Sequence, residues 1–471
     1  MNSRGWVALG VAFALCAGCT VGPAYVPPRP VLPGAWQTAA AGEPAAAETD
    51  LESLARWWTA LEDPLLTGLI ERAVAGNRDL RKAQARVREA RARRGASQAG
   101  LFPTLDATGS ATHSRSGQGA RGAQEQYSLG LDAGWEVDLF GGVRRSVEAA
   151  DATIQANQED LRNSLVSLVA EVALNYIEVR AAQARIQVAE ANLDSQTETC
   201  RLVEARREAG LTTALDAEQA RYSLESIRAQ IPTLRAGQQE AMNSLALLLG
   251  EAPGGIRTEL QEVRPIPTAP LRVAVGVPAD VLRRRPDVRQ AERALAAQTA
   301  QVGVATAELY PKLSLLGSIG LEATALGSLF TGGSRAYSLG PSLSWRLFDA
   351  GAVRRNIEVQ SALQEQALIA YEATVLTALK EVETALAAFA EEQQRRVALR
   401  GAAEAAARAV ELARAQYGAG MVDYRSVLEA ERSRLGFQDQ LAQSEGSVTA
   451  DLVRLYKALG GGWTSLAPEG K

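Results

Sequence analysis

Residues 135–145 read WEVDLFGGVRR, and residues 345–355 read WRLFDAGAVRR. Trp135 and Trp345 are each followed, after the same interval, by Val-Arg-Arg. Other matches keep the same offset of 210: Glu171-Val172 with Glu381-Val382, Gly210 with Gly420, and Leu249-Gly250 with Leu459-Gly460. Upstream, Asp79 matches Asp287 and Pro103 matches Pro311 at an offset of 208, so a loop between Pro103 and Trp135 absorbs the difference. A chain written twice at this spacing has to fold as two copies of one supersecondary plan. The repeats are read at 61–260 and 286–460. A linker at 261–285 joins them, and a tail at 461–471 follows.

The plan inside each repeat is mainly helical. From Val143 to Ala209 there is neither Gly nor Pro. Apolar residues recur every seven positions at Val147, Ile154, Leu161 and Leu168. The stripe then shifts by four and continues through Val172, Val179, Ile186, Leu193 and Cys200. A heptad stripe with one stutter predicts a long coiled-coil helix over 143–209. At 1.5 Å per residue it would run about 100 Å. Gly210 breaks it, and a shorter helix returns over 214–249. A helix from Leu65 to Gln98 supplies the remaining length, so two short helices stack beside each long one. The second repeat repeats the scheme, with a helix near 287–309, a long helix over 353–417 and a return helix over 423–459.

Between the first helix and the long helix the period changes from 3.6 to 2. In YSLGLDAGWEVDLF the odd positions are Tyr127, Leu129, Leu131, Ala133, Trp135 and Val137. In YSLGPSLSWRLF they are Tyr337, Leu339, Pro341, Leu343, Trp345 and Leu347. The even positions are mostly Ser, Gly, Asp or Glu. Such alternation predicts strands at 127–139 and 337–348, each with an upstream partner at 104–113 and 312–323. Strands of about ten residues suit a transmembrane β-span, with apolar residues toward lipid and aromatic residues at its rims. Four strands cannot close a barrel, and an open edge in lipid leaves backbone groups unpaired. The barrel must therefore be shared. Two copies would give eight strands, whose interior is filled by side chains, and three would give twelve, with room for a lumen. The competing reading is a small sheet on a soluble helical stalk.

Charge and cysteine exclude several function classes. A formal net charge of −4 argues against nucleic acid as a partner. The basic run at 78–94 reads as a solvated helix face. His113 is the one histidine, which leaves no Ser/His/Asp constellation and no legible metal site. The GGG at 460–462 lacks the Lys-Ser/Thr of a phosphate loop. Neither an enzyme nor a cofactor is expected. Cys200 lies on the heptad stripe and reads as a small buried hydrophobe.

The N-terminus reads as a targeting segment over 1–18. Arg4 precedes an apolar run from Trp6 to Ala17 that is too short to span a bilayer. The sequence then runs Leu15-Cys16-Ala17-Gly18-Cys19. Small residues before a Cys resemble the lipobox of bacterial lipoproteins, which implies acylation of Cys19, palmitate included. Cys16 stands where that pattern usually has Leu. Thr20, rather than Asp, follows Cys19, which favours outer-membrane sorting. Residues 19–60 read as a lipid anchor and a proline-rich extended tether.

Longer stretches carry a wider resemblance. GCTVGPAYVPPRP at 18–30, RWWTALEDPLLTGLI followed by NRDLRKAQARVREARA, and VPADVLRRRPDVRQAERALAAQTAQVGVATAELYPKLSLLGSIG at 277–320 are similar to the outer-membrane factors. These are the TolC-like channels of tripartite efflux pumps, in their lipoprotein branch. The resemblance covers nearly the whole mature chain. It implies a mixed α/β membrane protein: a homotrimer whose four strands per chain build a twelve-stranded β-barrel in the outer membrane, with a long α-helical coiled-coil barrel through the periplasm. It also implies two partners, a periplasmic adaptor (a membrane fusion protein) and an inner-membrane, proton-driven RND-type pump, in systems of multidrug resistance.

The same resemblance assigns residues. REAGLTTALDAEQA and YGAGMVDYRSVLEAE resemble the family's hairpin tips, which makes Gly210, Leu211, Gly420 and Met421 candidate adaptor contacts. Asp216, Asp423 and Glu429 fall among candidate gate carboxylates, Tyr417 matches a gate tyrosine, and Ser426 stands where some members have an acid. At the seam between strand and long helix, Trp135 and Trp345 would lie at the inner interface. Arg144, Arg145, Arg354 and Arg355 would meet anionic lipid or neighbouring chains. The expected function is a passive exit duct. A duct for type I protein secretion and a non-conducting lipid-anchored scaffold are the alternatives.

Overall fold

The computed structural model describes residues 20–38, 54–115, 123–268 and 278–463. The expected signal segment, Cys19, part of the linker and most of the tail lie outside these residues. The elements, in order, are α1 (Pro64–Gly76), α2 (Arg78–Ala99), β1 (Thr104–Ser114), β2 (Gln124–Val137), α3 (Gly142–Glu208), α4 (Ala214–Leu249), α5 (Arg257–Leu260), α6 (Pro278–Arg284), α7 (Pro286–Ala307), β3 (Lys312–Ala323), β4 (Arg335–Ser344), α8 (Ala352–Gly418) and α9 (Tyr424–Ala458). Among the described residues no helix is long and apolar enough to cross a membrane. The chain divides into two compact units. One gathers residues 1–30, 85–159 and 289–374, and the other holds the remainder.

The first unit contains the sheet. Its four strands pair antiparallel in the order β1-β2-β3-β4. Thr104 pairs with Gly134, Tyr127 with Ala323, and Lys312 with Ser344. Odd residues therefore always meet odd residues, and even meet even. Since side chains alternate along a strand, one face collects Leu105, Leu129, Leu131, Leu315, Ile319, Tyr337, Leu339 and Leu343, all exposed in the single chain. The opposite face collects Thr108, Ser110, Asp132, Ser318, Ser338 and Ser342. An exposed apolar face backed by a polar one is the pattern of a barrel wall with lipid outside and water inside. Leu316 is the exception on the polar face. The β2–β3 pairing joins the two repeats. The strand ends differ from the alternation reading. β4 stops at Ser344, so Trp345 and Leu347 follow the strand instead of lying in it.

The second unit holds the main apolar core. Leu66, Leu69 and Ile70 of α1 are fully buried against Leu165, Val169 and Val172 of α3, Leu245 of α4, and Leu452 and Leu455 of α9. Burying each such side chain contributes about 1.5–3 kcal/mol. Asp63 starts α1 by accepting the N–H groups of Leu65 and Leu66, with Pro64 at the first helical position. The side chain of Tyr176 on α3 donates to the same carboxylate at 2.5 Å.

The single helix expected over Leu65 to Gln98 is in fact two. Asn77 divides it into α1 and α2. Its Oδ1 accepts from Leu80 N–H at 2.9 Å, and its Nδ2 donates to Leu248 O at the end of α4. Gly76 and Gly250 make this junction possible: a Cβ on Gly76 would lie 2.2 Å from Leu249 O, and one on Gly250 would lie 2.4 Å from Gly76 O. α1 and α4 thus meet end to end by backbone contact.

Candidate functional site

Two helical hairpins in the second unit carry most of the residues singled out above. Between α3 and α4, Gly210 adopts φ +72, and Leu211 N–H returns to Arg206 O at 2.8 Å. Such a turn needs a residue that tolerates positive φ. Thr213 and Asp216 then form a capping box at the start of α4. Asp216 Oδ2 accepts from the Thr212 and Thr213 hydroxyls, each at 2.7 Å, and from Thr213 N–H at 3.1 Å. Burial alone would raise this carboxyl, but these donors prevail and hold it below the ordinary aspartate value. The second hairpin has the same construction. Gly420 adopts φ +73, Met421 N–H returns to Gln416 O, and Asp423 caps α9 by accepting from the N–H and hydroxyl of Ser426. Glu429 is exposed and pairs with Arg425 at 3.0 Å. At the turns Leu211 and Met421 are 68% and 74% exposed, and Leu215 is equally open.

The hairpins touch each other. Tyr417 is buried beside Tyr424, Cys200, Val203, Leu224 and Leu428. The guanidinium of Arg206 lies 4.6 Å from the centre of the Tyr417 ring and donates to the Tyr417 carbonyl at 3.1 Å. Arg206 ends α3 and Tyr417 ends α8, so this contact ties hairpin to hairpin. The Tyr417 side chain is enclosed within the chain. Burial pushes the Cys200 thiol up, followed by the nearby Glu204 carboxylate, which keeps it a protonated, apolar-site cysteine.

A second tie was not read from the sequence. Glu431 of α9 is buried and bonds Arg414 of α8 at 2.6 Å and Thr199 of α3 at 2.9 Å. Arg414 also reaches Ser195, while Arg434 of α9 reaches Asn192 and Ser195. Three helices thus share one buried polar knot. The available signal was spacing: Tyr424, Leu428 and Glu431 fall on one helix face, and that face is buried.

The seams lie in the first unit. Asp138 caps α3 by accepting from Val143 and Arg144 N–H, and it binds the Arg144 side chain. Trp135 Nε1 donates to Leu101 O at 3.0 Å, and Trp345 Nε1 donates to Leu309 O at 3.1 Å. Of the four seam arginines expected to meet anionic lipid or neighbouring chains, Arg144 and Arg145 instead bind within the chain. Arg145 is 6% exposed. It donates to Val21 O, Gly22 O and Glu148, so it clamps the segment that follows Cys19. Arg144 is held by Asp138. Arg354 and Arg355 are exposed, Arg355 pairing with Glu358. Among the described residues no His, Cys, Asp and Glu cluster assembles that could hold a metal.

Comparison with known proteins agrees with this architecture. The family described as outer membrane efflux protein matches twice, at residues 69–251 and 277–461, once in each repeat. Outer membrane protein OprJ of Pseudomonas aeruginosa is 34% identical, over 97% of this chain and 95% of its own length. The toluene efflux pump outer membrane protein TtgI of Pseudomonas putida is 33% identical, over 96% and 97%. Among solved structures, the outer-membrane channel OprN superposes with a TM-score of 0.88 at 39% identity, covering 94% of this chain and all of that one. The open state of the Neisseria gonorrhoeae MtrE channel gives 0.81 at 29%, over 94% and 99%. The fold is that of trimeric channels, each chain contributing four strands to a twelve-stranded barrel and its long helices to a helical barrel. The chain belongs to the outer membrane efflux protein family and is the outer-membrane channel component of an efflux system, with a large periplasmic portion.

Proposed function

We propose that this chain, as a homotrimer anchored through acylated Cys19, is the passive exit duct of a tripartite assembly. A periplasmic adaptor docks on its hairpin turns, and an inner-membrane RND-type pump supplies both cargo and energy. The observation that carries the docking surface is the pair of capped turns presenting Leu211, Leu215 and Met421 to solvent. Large apolar side chains held out on rigid turns suit a protein partner. Relatives named for toluene and solvent efflux support efflux over protein secretion.

The gate is assigned to the same end of the helices. Threefold symmetry turns Asp216, Asp423 and Glu429 into rings of like charge, which attract cations and repel one another. Tyr417 acts from inside the chain, by holding Arg206 and so the spacing of the two hairpins. Planar-bilayer recording of the purified trimer tests the duct. Cation-selective conductance is expected, and it should rise when Asp216 and Glu429 are both replaced by Ala. A trimer that never conducts in either form would leave the scaffold reading in its place.

A further inference from the structure

The two repeats build one helix joint twice. Asn77 stands between α1 and α2 and donates to Leu248 O at the end of α4. At the sequence offsets of 208 and 210 the counterparts of these two residues are Arg285 and Ala458, and Arg285 Nη1 donates to Ala458 O at 2.8 Å. Gly250 and Gly460 turn the chain out of α4 and α9 with φ +76 and +72. One neutral amide therefore suffices for such a joint. The second joint nevertheless carries charge at five positions where the first has none. Arg285, Lys380, Asp451, Arg454 and Lys457 stand against Asn77, Ala170, Ala241, Ser244 and Leu247.

The added charges line a cavity of about 510 Å³ that lies wholly within the second unit. Small-molecule pockets fall in the range of roughly 300–1,000 Å³. Some of its charges are already committed. The Arg285 side chain is 7% exposed and holds Asp287 and Glu381, each at 2.6 Å. Arg454 holds Asp451 at 2.5 Å. These pairs engage every carboxylate that lines the cavity. Among the described residues the ammonium groups of Lys380 and Lys457 have neither an ion pair nor a hydrogen bond. Val166, Ala385 and Ala388 add an apolar wall.

The cavity opens away from the core. Asp451, Arg454 and Ala458 fall within an arc of about 60° on α9. That arc lies opposite Tyr456, which stacks on Trp57 of the core at 5.3 Å. Three copies of α1 inside the helical tube would obstruct it, so in the duct the core faces outward and the cavity faces the lumen. This orientation rests on the duct proposed above.

We propose that the cavity is a lumen-side binding site for small organic anions, a carboxylate or phosphate group on an apolar body. Lys380 and Lys457 meet the anionic group, and the alanine wall takes the body. A lysine is a compact charge on a flexible stem, which suits anions of varied shape. Arg285 is a positioning residue: it engages Asp287 and Glu381, so neither carboxylate is left to oppose the ligand.

Amine footprinting of the purified trimer tests the site. The chain has five lysines, so few side chains compete for the reagent. The probe is 2-naphthoate, with the uncharged 2-naphthamide as its control. Naphthoate should slow acetylation of Lys380 and Lys457 at least fivefold and leave Lys82 and Lys312 unchanged, and the amide should slow none of them. Lys380→Gln with Lys457→Gln should weaken naphthoate binding at least tenfold in equilibrium dialysis, and Lys380→Arg with Lys457→Arg should bring it back to within threefold. Should the glutamine variant assemble poorly, Lys380→Ala with Lys457→Leu writes the first repeat's residues into the second and takes its place. No protection, equal protection by the amide, protection spread over all lysines, or unchanged affinity in the glutamine variant overturns the site. These readings need no transport. A trimer that binds naphthoate but never conducts would strike the duct and leave the site, whereas a conducting trimer without lysine protection would strike the site alone.

Discussion

Glu431→Gln isolates the buried knot between α3, α8 and α9. Glu431 is 6% exposed, and its Oε1 takes three hydrogen bonds, from Thr199 Oγ1 at 2.9 Å and from Arg414 Nε and Nη2 at 3.0 and 2.6 Å. Arg434 stands beside this pair, and burial and then Arg414 already hold it below the ordinary arginine value. The substitution keeps shape and removes charge, so the Arg414 guanidinium loses its carboxylate while the Arg434 guanidinium, which shares Ser195 with it, stays close by. Breaking a buried ion pair costs about 3–5 kcal/mol. Because the Arg414 side chain is 33% exposed, the lower end applies: about 3 kcal/mol, or roughly a hundredfold in a local equilibrium. Hydrogen exchange of the purified trimer reads it directly. Amides of α3 near 192–208 and of α9 near 424–434 should lose about two decades of protection, while the strands stay unchanged. Arg425→Ala, which removes the exposed Arg425–Glu429 pair, should cost at most about 0.5 kcal/mol. Arg414→Leu with Glu431→Leu should recover much of the loss, since no unpaired partner is left. Less than a threefold change in Glu431→Gln would refute the knot as the tie between hairpins.

Other perturbations test other parts. Asp216→Ala should destabilise the first hairpin by about 1 kcal/mol. The Asp216 carboxyl is depressed in the folded chain, so its contribution is complete above the ordinary value of 3.8 and vanishes as pH falls through the lower folded value. Melting curves of wild type and variant should therefore differ at pH 6 and converge in strong acid. Gly22→Ala should release the N-terminal strap, because Gly22 has φ +87 and a Cβ there would lie 2.5 Å from Gly303 Cα; limited proteolysis near residues 20–30 should then accelerate severalfold. Leu211→Glu with Met421→Glu should abolish crosslinking to the adaptor while the trimer melts unchanged. Cys19→Ser should end incorporation of labelled palmitate.

Legibility in the sequence followed the range of the interaction. Strand alternation was readable because the side-chain period is a local property, and the pairing parity then made Leu129, Ile319 and Leu339 share a face. Helix ends at Gly210 and Gly420 were readable because positive φ selects Gly. Asn77 escaped notice because its role is set by Leu248, far along the chain. The fate of Arg145 escaped for the same reason: Val21 and Gly22 lie more than 120 residues before it, and no local pattern marks a backbone carbonyl as a partner. The Glu431 knot was half-visible as an acid on an apolar helix face. Its partners on α3 and α8 exist only after the hairpins pack.

The register of the sheet also sets the width of the pore. Thr104 leads across Gly134 to Leu316, whereas its repeat counterpart is Lys312, a slip of four residues over two strands. At about 3.3 Å per residue and 4.8 Å between strands, two residues per strand correspond to a lean of about 54° from the barrel axis. The fourteen residues of β2 then rise only about 27 Å, close to the roughly 25 Å height of an outer-membrane apolar band. The same lean stretches twelve strands around a circumference of about 100 Å, a backbone diameter of about 30 Å, where a 40° lean would give about 24 Å. The wall gains bore from slant and needs no additional strands.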